Sequence, residues 1–207
     1  MRSFTRLGFV IGTTLALAAC GGGGGDDEGD DTGDDAPEVD APPGAADAPE
    51  ADADSGAFEL TSPAFAEGGV IPDENACVGS NVSPELAWTG GPAAQSYAIV
   101  FTDLDNGLIH SVIYDIPSSA TGLPAEVDNA YAPADVPGAH QPLAYDNDTR
   151  GYLGPCPGTT HTYEFELFAL DVATLPGASE GTTRAQAATL INEHDLASTT
   201  LSGTFTP

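Results

Sequence analysis

Asp103, His110 and His161 are the residues of this chain best placed to do chemistry, because each closes an alternating apolar run with a group that can change protonation or bond an ion. Side chains alternate across a strand, so Tyr97, Ile99 and Phe101 share a face with Asp103, and Val112, Tyr114 and Ile116 share one with His110. His161 likewise lies on the face of Tyr163, Phe165 and Leu167. An acid or imidazole that ends an apolar face sits at the rim of a core, where pockets form and protonation can be tuned. The bland reading is that such strands end in a polar residue where the chain meets water. The rigid loop Gly154-Pro155-Cys156-Pro157-Gly158 just before His161 favours a small polar pocket instead.

The elements that must position these groups are mostly strands, expected near 58–61, 96–102, 110–116, 162–170 and 200–205. One helix is expected over 183–193, where Ala187, Leu190 and Ile191 make an apolar stripe and Thr182 or Thr183 caps the start. The stretch 126–160 has few apolar runs and carries His140, Gln141, Asp146 and Arg150. It reads as a loop over one end of the fold, near the pocket. With no second composition break, 57–207 is a single domain large enough for one ample core.

The run Asn81-Val82-Ser83-Pro84-Glu85-Leu86-Ala87-Trp88 resembles the Asn-x-Ser-Pro-x-Leu-x-Trp element of the phosphatidylethanolamine-binding protein family, in its bacterial Raf-kinase-inhibitor-like branch. Further matches follow in order: Asp103-Leu104-Asp105, Ile109-His110, Gly151 to Pro157 before His161-x-Tyr163, and Ala169-Leu170-Asp171. The resemblance implies a mainly β fold, an antiparallel β-sandwich with a few short helices. It also implies a small pocket for phosphate-like anions or phospholipid head groups. Carried over residue by residue, that pocket uses Asp103, His110, Gly154, Pro155, His161 and Tyr163, with no catalytic residue and no cofactor. Imidazoles and loop N–H groups would donate to an anion while a carboxylate orients a histidine. The chain departs from the pattern at Leu104, where proline is usual, at Asn106-Gly107, at Leu108 and Ser111, where aromatics commonly flank the histidine, and at Gly158.

The N-terminus carries a second signal. Arg2 and Arg6 precede an apolar stretch over 7–15 and then Leu17-Ala18-Ala19-Cys20, which resembles a bacterial lipobox. The expectation is a signal peptide over 1–19 and a lipidated Cys20; a secreted, unlipidated protein is the rival. The apolar stretch is too short to span a bilayer. From 20 to 56 the chain is rich in Gly, Asp, Ala and Pro, with 13 acids and no aromatic, a composition that cannot bury a core. It reads as an acidic tether; calcium binding over 26–35 lacks the closing glutamate of a calcium loop. Gly21 after the cysteine makes the outer membrane the default destination of this extracytoplasmic, membrane-anchored chain.

The chain contains no lysine, and the domain over 57–207 carries 19 acids against Arg150 and Arg184, a formal −17. Such a field excludes nucleic acid and anionic membrane surfaces as partners and suits a zwitterionic or weakly charged ligand. With Cys20 assigned to lipid, Cys77 and Cys156 remain in a chain addressed to an oxidising compartment, so a disulfide is expected, with free thiols or a metal site as rivals. Two other function classes stay open. A metal-dependent hydrolase could use His110, His161 and a carboxylate, Asp103 or Asp105, although the spacing matches no standard zinc motif. A protease-inhibitor-like protein partner is the other.

Overall fold

The computed structural model describes residues 56–207; the expected signal peptide, Cys20 and the expected tether up to residue 55 lie outside the described residues. Aromatic and β-branched runs form the middle of a five-stranded sheet: β4 (Ser96–Asp103) lies between β5 (Leu108–Pro117) and β7 (His161–Leu170). β8 (Asp195–Phe205) pairs with β7, and the short β2 (Gly69–Val70) completes the order β2-β8-β7-β4-β5. A second sheet holds β1 (Glu59–Thr61), β3 (Leu86–Thr89) and β6 (Gly122–Leu123) in the order β1-β3-β6. All pairings are antiparallel except that of β2 with β8.

The main core forms between the two sheets, as the sandwich expectation requires. Leu60, Leu86, Trp88 and Leu123 from the smaller sheet bury against Tyr97, Ile99, Phe101, Phe165 and Leu201 from the larger. At its centre Phe101 and Phe165 stack with ring centroids 4.2 Å apart. Leu86 and Trp88 belong to the motif noted above, which thereby supplies a strand that periodicity alone did not mark. A second core covers the other face of the large sheet, where Val112, Tyr114 and Phe168 pack against Leu175, Ala187 and Ile191. The last two lie on α1 (Arg184–Glu193), capped reciprocally by Thr183 and Gln186. Among the described residues, the expected short helices amount to α1 and a 3-10 turn at Asp73–Asn75.

Strict alternation fails in β5. Phe101 faces Ser111 while Thr102 faces Ile109, which leaves His110 as an extra residue in the ladder. A second shift places Tyr97 opposite Ile116 and Ile99 opposite Ile113, leaving one residue over at 114–115, where Asp115 has φ 58°. The expectation that Val112, Tyr114 and Ile116 share the face of His110 is therefore corrected. Val112 and Tyr114 point to the helix side, whereas Ile116 joins the core between the sheets and His110 packs on Phe101 of that same core.

Candidate functional site

Ladder register gathers the three ionisable residues. Asp103 lies opposite both Leu108 and Tyr163, so the end of β4 and the starts of β5 and β7 meet at one end of the sheet. Asp103 is buried there. Its Oδ1 accepts the Asp105 N–H at 3.0 Å, and its Oδ2 accepts from Asn106 Nδ2 at 3.0 Å and His161 Nδ1 at 2.7 Å. The unusual Asn106-Gly107 pair thus builds the turn over the carboxylate, with Gly107 at φ 72° returning its N–H to the Asp103 carbonyl. Burial opposes the charged form of Asp103. The His161 and Asp105 hydrogen bonds and the nearby imidazoles outweigh it and hold the carboxyl below its ordinary value.

His110 donates from Nδ1 to the Leu153 carbonyl at 3.0 Å. A carbonyl only accepts, so Nδ1 carries the hydrogen and Nε2 the lone pair of the neutral ring. The ionised Asp103 imposes the same tautomer on His161. Burial pushes His110 below the ordinary imidazole range, against an upward pull from the Leu153 carbonyl, Asp103 and the Gly154 backbone. Tyr163, whose ring meets the His110 ring edge-on at 5.3 Å, is kept neutral by burial and by the Asp103 carboxylate.

Asp103, His110, His161 and Tyr163 line one cavity of about 100 Å³, closed by Asn106, Leu108, Tyr145, Cys156 and Pro157. Gly154 and Pro155 stand behind that wall. The Gly154 N–H is committed to Asn81 Oδ1 at 2.9 Å, and the Pro155 carbonyl accepts the Cys77 N–H at 3.0 Å. A side chain at Gly154 would collide with the Asn75 carbonyl, which also accepts the Tyr152 hydroxyl at 2.7 Å. The Cys77–Cys156 disulfide, Cα atoms 5.3 Å apart, ties the same two segments. Leu108 borders the cavity, while Ser111 faces the core between the sheets beside Ile99 and Phe101.

Tyr145 is the wall residue that sequence reasoning missed. Its ring lies 4.4 Å from that of His110, and its N–H bonds the His110 carbonyl at 2.9 Å. It sits in the irregular stretch 126–160, and the one signal near it is the turn formed by Asp146, whose carboxylate accepts from the Asp148 and Thr149 N–H groups. Asp103, Asp105 and His161 bring ligand atoms within 4.8 Å of one another. Four protein N–H groups already occupy those carboxylates, including the Thr162 N–H on Asp105 Oδ2 at 2.6 Å. His110 is not part of that group.

The family model described as phosphatidylethanolamine-binding protein matches residues 61–206. A Mycobacterium tuberculosis protein that bears the lipoprotein name LppC is 35% identical over 186 residues, spanning 86% of this chain and 85% of its own. A UPF0098 protein of Methanothermobacter thermautotrophicus is 39% identical over 128 residues, 58% of this chain and 83% of its own. Among solved structures, that of E. coli YbcL, described as a member of the mammalian PEBP family, superposes with a TM-score of 0.65 at 25% identity. It covers 72% of this chain and 98% of YbcL. CT736 of Chlamydia trachomatis superposes with a TM-score of 0.61 at 29% identity, over 72% of this chain and 97% of its own.

Proposed function

The chain belongs to the phosphatidylethanolamine-binding protein family, and we propose that it acts as a lipid-anchored extracytoplasmic binding protein whose cavity takes a small zwitterionic phosphate-bearing head group. The observation that carries this reading is the pair of imidazoles, His110 and His161, which line one cavity and are each held at Nδ1 by the protein. With Nδ1 protonated and burial favouring the neutral ring, His110 presents at neutral pH a lone pair, which accepts from an ammonium, a hydroxyl or a protonated phosphate oxygen. It becomes an anion donor only once protonated. The cavity is too small for an acyl chain, so a lipid would enter by its head group alone. A dianion would also work against the domain's formal −17. Arg2, Arg6 and Leu17 to Cys20 support the anchor, as does likeness to a lipoprotein-named relative over more of the chain than residues 56–207. The outer membrane is the proposed destination, with 1–19 removed and the acidic stretch after Cys20 as tether.

Calorimetric titration of the full chain with phosphoethanolamine, inorganic phosphate and zinc chloride tests this reading. Phosphoethanolamine is expected to bind saturably, and both His110→Ala and His161→Ala to abolish that heat. Protonation of His110 is required before its Nε2 donates, so phosphate should bind up to about tenfold more tightly for each unit that pH falls toward its depressed pKa. Tight zinc uptake in place of phosphoethanolamine would favour the hydrolase. Silence from all three ligands in a folded sample would overturn the head-group reading and leave a protein partner.

A further inference from the structure

We infer that Arg184 is a positioning residue for the cavity, setting the distance between the His110 and Tyr145 walls; the part of this that concerns ligand rests on the head-group reading above. Arg184 opens α1 on the far side of the large sheet, yet its guanidinium reaches back to the site. Nε donates to the Ile109 carbonyl at 2.8 Å, and Nη1 donates to the Ala144 carbonyl and Asn147 Oδ1, both at 3.0 Å. Ile109 immediately precedes His110, and Ala144 immediately precedes Tyr145. One planar group therefore clamps the two backbones whose next residues bring their rings within 4.4 Å, tilted by 52°, in the cavity wall.

Two further observations favour positioning over general stability. His110 is the extra residue of a bulge, so regular ladder geometry does not fix its placement, and an outside brace has something to do there. In addition, the domain carries 19 acids and only two arginines. Arg150 pairs with the exposed Glu180 at 3.2 Å and reaches the Gln141 and Glu180 carbonyls only at 3.4 Å, whereas Arg184 bonds three neutral oxygens at 2.8–3.0 Å. The fork of a guanidinium can bridge two separate carbonyls at fixed spacing; the single ammonium of lysine cannot reproduce that geometry.

The test compares Arg184→Lys, Arg184→Ala and Arg150→Ala in the full chain, reading the carbon-bound ring protons of the four histidines by NMR alongside phosphoethanolamine affinity and thermal midpoint. In both Arg184 variants the His110 ring protons are expected to lose the shift imposed by the adjacent Tyr145 ring, while those of His194 stay in place. Affinity should fall about tenfold or more, as for a lost charged hydrogen bond. Arg150→Ala should instead move His140, whose ring lies 4.7 Å from Tyr131 beneath the Arg150 guanidinium, and leave His110 and affinity unchanged. Should Arg184→Ala fail to fold, Arg184→Lys carries the decision. A lower thermal midpoint with the His110 protons unmoved would overturn the proposal. If the unsubstituted protein binds no phosphoethanolamine, the ring-proton arm still decides the placement of His110, so the two readings fail separately.

Discussion

Asp103 keeps both carboxylate oxygens engaged by the protein, which makes it the residue on which the site's order most depends. Asp103→Asn replaces an acceptor-only group by one that must present two N–H donors to donors already in place, and it removes the charge that fixes the His161 tautomer. Loss of such a charged hydrogen-bond set should cost about 1.5–3 kcal/mol at neutral pH. The sign with pH follows from the depressed folded pKa: the contribution is present above the unfolded value of about 3.9 and is lost as pH falls through the lower folded value. Denaturation curves of the two proteins should therefore lie apart at neutral pH and converge as pH falls below the ordinary carboxylate range and through the depressed folded value; a constant separation down to strong acid would refute the carboxylate's role. Asp103 and His161 were legible in the sequence because each ends an unbroken alternation. Tyr145 and Arg184 were not, since what brings them to the site is a backbone hydrogen bond and a reach from the opposite face of the sheet, neither of which leaves a pattern.

Strands show the same division. β4 and β7 are regular where they flank the site, so counting by twos placed their side chains correctly. β5 defeated the count because two extra residues each invert the phase. β3 was hidden in a motif whose Asn-x-Ser-Pro part is irregular, and β2 and β6 are too short for any period. The cysteine pairing was readable from the compartment that the N-terminal residues led one to expect and from the two cysteines left after Cys20, but not what surrounds it. Three hydrogen bonds, from Gly154, Cys77 and Tyr152, join the same two segments as the disulfide. Replacing Cys77 and Cys156 together by serine should therefore remove up to about 4 kcal/mol through the unfolded state, given the 79-residue separation, yet leave phosphoethanolamine affinity within a few-fold. Equilibrium denaturation and calorimetry on one sample measure both; a collapse of affinity at unchanged stability would show the bond shaping the cavity instead.

A formal −17 spread over the domain surrounds the site with repulsion for anions, and this property was fully legible, since charge needs no fold to be counted. The Debye length shrinks from about 30 Å at 0.01 M salt to about 3 Å at 1 M, so added salt should screen the acids before it weakens short-range bonds in the cavity. Phosphate affinity is accordingly expected to rise several-fold with ionic strength, the reverse of a basic anion site, while neutral-pH affinity for phosphoethanolamine changes little. A monotonic weakening of phosphate binding with salt would mean that the acids do not act on the cavity.

The bulge at His110 also bears on what a one-residue deletion would do. Removing residue 110 would place Ser111 and Ile109 opposite consecutive residues of β4, so the ladder would close without a gap and the core between the sheets would keep its partners from Ser111 onward. The imidazole is thus an extra residue of the ladder, held by the Leu153 carbonyl and the Tyr145 N–H rather than by strand pairing. Deleting this one residue is therefore expected to take the imidazole from the cavity while β4 and β5 stay paired.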